Sequence, residues 1–155
     1  MTRLILIILA AALFSPVTPA QPKETMMPHH ARGTFTVDIR PLTPAPAEGL
    51  ARFSIDKKIT GDLEGSTKGE MLSGGDPKQG AAGYVAMEVF TGTLAGKHGS
   101  FALQHSATMD QHGNQMSVTV VPGSGTAELK GIAGRFTIEI ANGRHSYDLE
   151  YTLPE

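Results

Sequence analysis

The sequence predicts an all-β protein, a small antiparallel barrel of about eight strands, and three observations predict it. Apolar residues alternate with polar ones at a period of two through most of the chain after residue 33, with no comparable helical period. The 155 residues include 18 Gly and 10 Pro, which suits short strands joined by tight turns better than long helices. A Thr-x-x-Leu-x-Gly echo recurs as TGDLEG from Thr60, TGTLAG from Thr91 and TAELKG from Thr126, at offsets of 31 and 35 residues. Each copy reads as a strand entering a turn where glycine supplies a positive φ, and the last two continue as Gly-x-Phe at Phe101 and Phe136. Hairpins of similar length, each with one apolar face, bury that face by curling into a barrel.

Taken in order, residues 1–20 read as a secretory signal. Arg3 precedes the apolar run LILIILAAALF, which is short for a bilayer span, and small residues at Thr18 and Ala20 mark a cut after Ala20. An uncleaved anchor is the alternative. Cleavage leaves no stable membrane span and predicts a periplasmic or secreted protein. Residues 21–32, QPKETMMPHHAR, lack an apolar period and read as a flexible leader whose Met and His side chains suit a soft metal only if something holds them rigid. Residues 33–155 form the single barrel domain.

Within it, Phe35, Val37 and Ile39 share a strand face, and PLTPAPAEG breaks the pattern as a loop. Phe53, Ile55, Lys57 and Ile59 share the next face. The charged, glycine-rich EGSTKGE, with Glu64 and Glu70, reads as a solvated turn. Phe101, Leu103 and His105 oppose Ser100, Gln104 and Ser106. Met116, Val118 and Val120 follow, then Phe136, Ile138 and Ile140. Asn142–Gly143 is a tight turn setting Ile140 opposite His145 and Ile138 opposite Tyr147. The last strand carries His145, Tyr147, Leu149, Tyr151 and Leu153 on one face.

Lys plus Arg number 13 against 15 Asp plus Glu, a formal charge of -2, so there is no electrostatic footprint for nucleic acid or an anionic membrane. The absence of cysteine excludes disulfides, thiolate metal sites and a cysteine nucleophile. VVPGSGTAEL lacks the Gly-Lys-Ser/Thr ending of a phosphate loop and has Pro122 where a nucleophile elbow needs glycine. The histidines show no metal-binding spacing, so neither a metal nor a cofactor is expected.

The candidate site comes from the strand faces. A turn centred on Gly96 and Lys97 sets Glu88 opposite His105 and Phe90 opposite Leu103. Both polar groups then point inward. Lys57 joins them, because Lys57 and Glu88 each lie three residues before a repeat threonine on a face otherwise apolar. An ion removed from water without a partner costs several kcal/mol, so an interior Lys57, Glu88 and His105 must find one another, water or a ligand. Tyr84, His145, Tyr147 and Tyr151 are further contributors. Such a cluster serves either as a satisfied structural network or as the polar end of a binding site. The same register leaves Val85, Met87 and Val89 as an outer apolar stripe, packed under a loop or against a second copy in a homo-oligomer.

The runs GDLEGSTKGEML, GYVAMEVFTGTLAGKHGSFALQH, VVPGSGTAELKGIAG and HSYDLEYTL, in this order from Gly33 to Leu153, resemble the bacterial family called domain of unknown function 3224. The resemblance implies a small antiparallel barrel similar to allene oxide cyclase and to plant dirigent proteins, and it brings no assigned catalytic residues. The leading expectation is a barrel that binds a small, largely apolar molecule among Phe35, Phe53, Phe90, Phe101, Leu103 and the tyrosines, oriented by Glu88, His105 and Lys57. A cofactor-free isomerase or cyclase with Glu88 and His105 as catalytic groups is the second expectation, suggested by the barrel analogy. An oligomeric envelope protein using the outer stripe is the third.

Overall fold

The computed structural model describes residues 27–154, so the signal reading and the first half of the leader lie outside the described residues. Eight strands run in chain order: β1 (His29–Leu42), β2 (Leu50–Gly61), β3 (Leu63–Asp76), β4 (Ala81–Leu94), β5 (Lys97–Asp110), β6 (Gly113–Val120), β7 (Ala133–Ala141) and β8 (Arg144–Thr152). Each pairs antiparallel with its neighbour, and β8 returns to β1, closing the barrel. Closure removes the exposed sheet edge that an open array of hairpins would leave.

The third repeat copy, TAELKG, is not a strand entering a turn but part of the β6–β7 connection, with a single 3-10 turn at Ala127–Leu129, and two boundaries also differ from the sequence reading. β1 begins at His29, so His29–Arg32 are strand rather than leader, with Ala31 buried in the core. Pairing with β8 drives this, since His29 to Arg32 sit opposite Tyr151 to Asp148, and His30 Nδ1 lies 2.7 Å from Asp148 Oδ1. The segment read as a solvated turn, EGSTKGE, lies in β3, where Glu64 and Glu70 face outward and Thr67 inward. Its glycines hid the alternation.

The turn between β4 and β5 is also displaced. Ala95 and Gly96, with φ of 48° and 83°, form its centre, and Leu94 pairs with Lys97. Both central residues take the left-handed region that a two-residue hairpin needs. Glu88 therefore faces Leu103, Phe90 faces Phe101, and His105 faces Ala86. The shift is by two residues, so every side chain keeps its face. At Asn142–Gly143 the expected register holds, with Ile140 opposite His145 and Ile138 opposite Tyr147.

The two barrel ends differ. At one, the repeat leucines Leu63, Leu94 and Leu129 are each 0% exposed and meet Phe90, Phe101, Phe136 and Leu149 in the hydrophobic core. Burying each leucine contributes about 1.5–3 kcal/mol. The β6–β7 connection, which holds VVPGSGTAEL, lies along β5. Thr126 N donates to Ser100 O at 2.9 Å, Ala102 N donates to Ser124 Oγ at 3.0 Å, and Leu129 and Ile132 are carried under the barrel.

The other end stays open. β6 and β7 share a single register pair, Thr119 with Arg135, and splay apart toward it. Ile39, Met116 and Ile140 stand at inward positions there yet are 47%, 49% and 62% exposed. The interior is thus filled at one end and an apolar cup at the other.

Candidate functional site

The floor of the cup is polar. Lys57 on β2, Thr67 on β3, Glu88 on β4 and His105 on β5 are buried on adjacent strands. Glu88 Oε1 accepts from Lys57 Nζ and, at 2.7 Å, from His105 Nε2, while Oε2 accepts from Thr67 Oγ1 at 2.6 Å. A carboxylate can only accept, so His105 presents Nε2–H to it. The Lys57 ammonium also lies 5.3 Å from the centre of the Phe35 ring, a cation–π contact.

Gly69 makes this convergence possible. It pairs with Ile55 on one side and Glu88 on the other. A Cβ there would lie 2.0 Å from Met87 O, 2.5 Å from Glu88 Cα and 2.6 Å from Glu88 Cβ. With hydrogen in that place, the Glu88 side chain crosses β3 to reach Lys57.

Burial by itself raises the Glu88 pKa. The hydrogen bond from His105, the charge of Lys57 and the hydrogen bonds from Lys57 and Thr67 outweigh it, lowering the pKa from 4.5 to about 2. Glu88 is thus an ionised, fully engaged acceptor at neutral pH, and among the described residues every buried side-chain polar atom has a partner.

Above the floor lies a cavity of about 370 Å³ on the inner faces of the β3–β4 and β5–β6 hairpins, lined by Phe53, Met71, Tyr84, Ala107, Met109 and Met116, among others. Tyr84 and Glu88 share the inner face of β4, with Ala86 between them. Burial, and then the Glu88 charge, raise the Tyr84 pKa above 10. Lys57, Glu88 and His105 do not line this cavity.

The structure divides the other anticipated ligand residues. Phe90, Phe101 and Leu103 are 0% exposed, packed in the core below the floor, and the two phenylalanine rings sit 5.0 Å apart. Tyr147 is structural. Its hydroxyl accepts from Leu63 N at 3.0 Å and donates to Leu63 O at 3.1 Å. Tyr151 packs at the closed end against His29, ring centres 5.5 Å apart. His145 stacks near Phe35 at 5.0 Å and lines a separate mixed-polarity groove with Thr36 and Arg144.

Sequence reasoning missed Thr67, hidden among the glycines of β3, and the methionines of the cavity. Met116 stood on a recognised strand face, and that signal alone could have placed it inward. The outer stripe is where parity put it, with Val85, Met87 and Val89 at 55%, 49% and 49% exposed. Val85 and Met87 line an outer groove of about 630 Å³ beside the Pro44–Pro46 loop, crossed by the Arg52–Glu70 ion pair at 2.7 Å. The stripe flanks that loop without being covered by it.

A closed antiparallel barrel with a buried lysine–glutamate–histidine floor and an apolar mouth defines the class of protein. The sequence pattern of the family described as "Protein of unknown function (DUF3224)" matches residues 31–151, and the chain belongs to that family. Its structure is similar to the crystal structure of a protein of unknown function from the same family in Shewanella oneidensis MR-1. The two are 38% identical, with a TM-score of 0.75, over 83% of this chain and 99% of that one. No curated protein matches the chain.

Proposed function

We propose that this barrel is a binding protein that takes a small, largely apolar molecule into its open end. The observation that carries the reading is the 370 Å³ cavity walled by Phe53, Met71, Tyr84 and Met116 at inward positions. That volume falls within the range of small-molecule pockets. Exposed apolar side chains on the inner face of a sheet lose free energy to water unless something covers them. The ion cluster beneath supports the reading as a rigid floor that ties four consecutive strands together.

The proton-transfer reading draws less support. Glu88 has both oxygens engaged and a pKa of about 2, which makes it a poor base near neutrality. Export to the periplasm or exterior belongs to the same proposal, on the strength of residues 1–20, and amino-terminal sequencing of the mature protein should then begin at Gln21.

The binding test is titration with N-phenylnaphthylamine, an uncharged fluorophore that brightens in apolar surroundings. The wild type should give saturable one-to-one binding. Ala107→Trp, which fills the cavity wall, should abolish it while keeping a cooperative thermal transition. Linear, non-saturating fluorescence, or unchanged binding by a folded Ala107→Trp variant, overturns the reading.

A further inference from the structure

We infer that the molecule held in the mouth is an uncharged aromatic compound with a hydrogen-bond acceptor, such as a carbonyl, directed at the Tyr84 hydroxyl. This rests on the binding reading above and narrows it to a chemical class.

The first step is charge. No acid, lysine, arginine or histidine is among the described residues that line the cavity, whose polar groups are hydroxyls and amides such as Ser73, Thr108, Asn114 and Gln115. An ionised ligand group brought here would lose its water without gaining a counter-ion, which costs it heavily in affinity. Lys57 is committed to Glu88 and Arg52 to Glu70, and Lys78, next to the lining Pro77, is exposed at the rim and does not line the cavity. The Glu88 carboxylate stands two inward positions from Tyr84 on β4 and is already paired with Lys57, so the floor offers an anionic ligand no counter-ion.

The second step is shape and surface. Phe53 and Tyr84 offer rings, while Met71, Met109 and Met116 offer thioethers on flexible stems. Sulfur and ring edges favour a flat aromatic partner over an alkyl chain, and methionine adapts to its outline. A cavity of 150 Å³ accepts benzene, so 370 Å³ has room for about two fused rings.

The third step is orientation. The Tyr84 phenol stays protonated at neutral pH and is the polar group on the inner face of β4 nearest the floor. Its O–H is available to donate, and a ligand carbonyl, which can only accept, is the complementary group.

The experiment uses prodan, an uncharged aromatic ketone with environment-sensitive emission, as reporter, with acetylnaphthalene, ethylnaphthalene and naphthoate as competitors. Acetylnaphthalene should displace prodan at concentrations at least ten-fold lower than naphthoate. Tyr84→Phe should weaken acetylnaphthalene roughly five- to ten-fold, the loss of one hydrogen bond, and leave ethylnaphthalene unchanged, which also shows that the variant is folded. If prodan binds but naphthoate competes equally, or Tyr84→Phe weakens ketone and hydrocarbon alike, the inference is overturned and the binding reading stands. If prodan does not bind while N-phenylnaphthylamine still binds saturably, the inference falls and the binding reading stands; if neither binds, both fall.

Discussion

Lys57 and Glu88 each lie three residues before the threonine of a Thr-x-x-Leu-x-Gly repeat, and although the chain turns at Asp62 in one copy and at Ala95–Gly96 in the other, their side chains meet across β3. The repeat that brings Leu63 and Leu94 together at the closed end thus also brings two opposite charges together at mid-barrel. A buried ion pair is seldom a large net stabiliser, because desolvation offsets most of the attraction, but breaking one side of it is costly. Glu88→Leu should lose about 3–5 kcal/mol, since Lys57 remains buried without its counter-ion. Adding Lys57→Met should recover a substantial part of that loss, a non-additivity measured by urea denaturation of both single variants and the double. Additive losses would show that the pair does not act as a unit.

Acid should unfold the barrel through the same carboxylate. The Glu88 pKa is about 2 in the fold against 4.5 ordinarily, so the folded state holds the ionised form more tightly than the unfolded chain does. The resulting stability is fully present above pH 4.5 and is lost as pH falls toward about 2, amounting to about 3 kcal/mol. The urea midpoint should drop steeply across that window in the wild type. In Glu88→Gln, less stable at neutral pH, the drop should be markedly shallower. Equal slopes in the two proteins would place the acid sensitivity in other carboxylates.

That Lys57, Glu88 and His105 share the interior was legible in the sequence because it depends on alternation alone. Misplacing the β4–β5 turn moved the partner of Glu88 from Leu103 to His105 but left its face unchanged. The diagonal contact between Glu88 and His105 survives, at 2.7 Å. β3 was not legible, because Gly65, Gly69, Gly74 and Gly75 interrupt the polar–apolar rhythm, and Thr67 was lost with it. Nor does alternation separate a filled barrel end from an open one. Phe101 and Tyr84 look alike as inward aromatics, yet one is core and the other lines the mouth. That distinction comes from where the β6–β7 connection folds and where β6 and β7 part, both long-range properties of the chain.

Gly69 and Gly96 separate two reasons for glycine. At Gly96 the space beyond the backbone is open and only the φ of 83° matters, so Gly96→Ala should cost about 1–2 kcal/mol. At Gly69 an added Cβ would overlap Met87 O at 2.0 Å and Glu88 Cβ at 2.6 Å, which forces β3 and β4 apart and pulls the carboxylate from Lys57. Gly69→Ala should therefore be destabilised by more than Gly96→Ala and should also lose the steep acid dependence of the wild type. Thermal melts at neutral pH and at pH 3 check both. A Gly69→Ala protein as stable and as acid-sensitive as wild type would mean that the strands can separate without disturbing the ion cluster.

The tyrosines provide the last contrast. Tyr147 satisfies both the N–H and the carbonyl of Leu63, tying β8 to the start of β3 at the closed end. Removing the hydroxyl leaves a buried backbone N–H without its acceptor, which costs about 1–3 kcal/mol. Tyr84, by contrast, lines the mouth. Tyr147→Phe should thus lower the denaturation midpoint while leaving the affinity for N-phenylnaphthylamine within two-fold or so of wild type, an interval small beside the loss of one hydrogen bond to a ligand. Tyr84→Phe should leave the midpoint nearly unchanged. If Tyr147→Phe instead changed affinity with stability intact, the closed end would take part in binding, and the barrel would have to open below its charged floor to admit a ligand there.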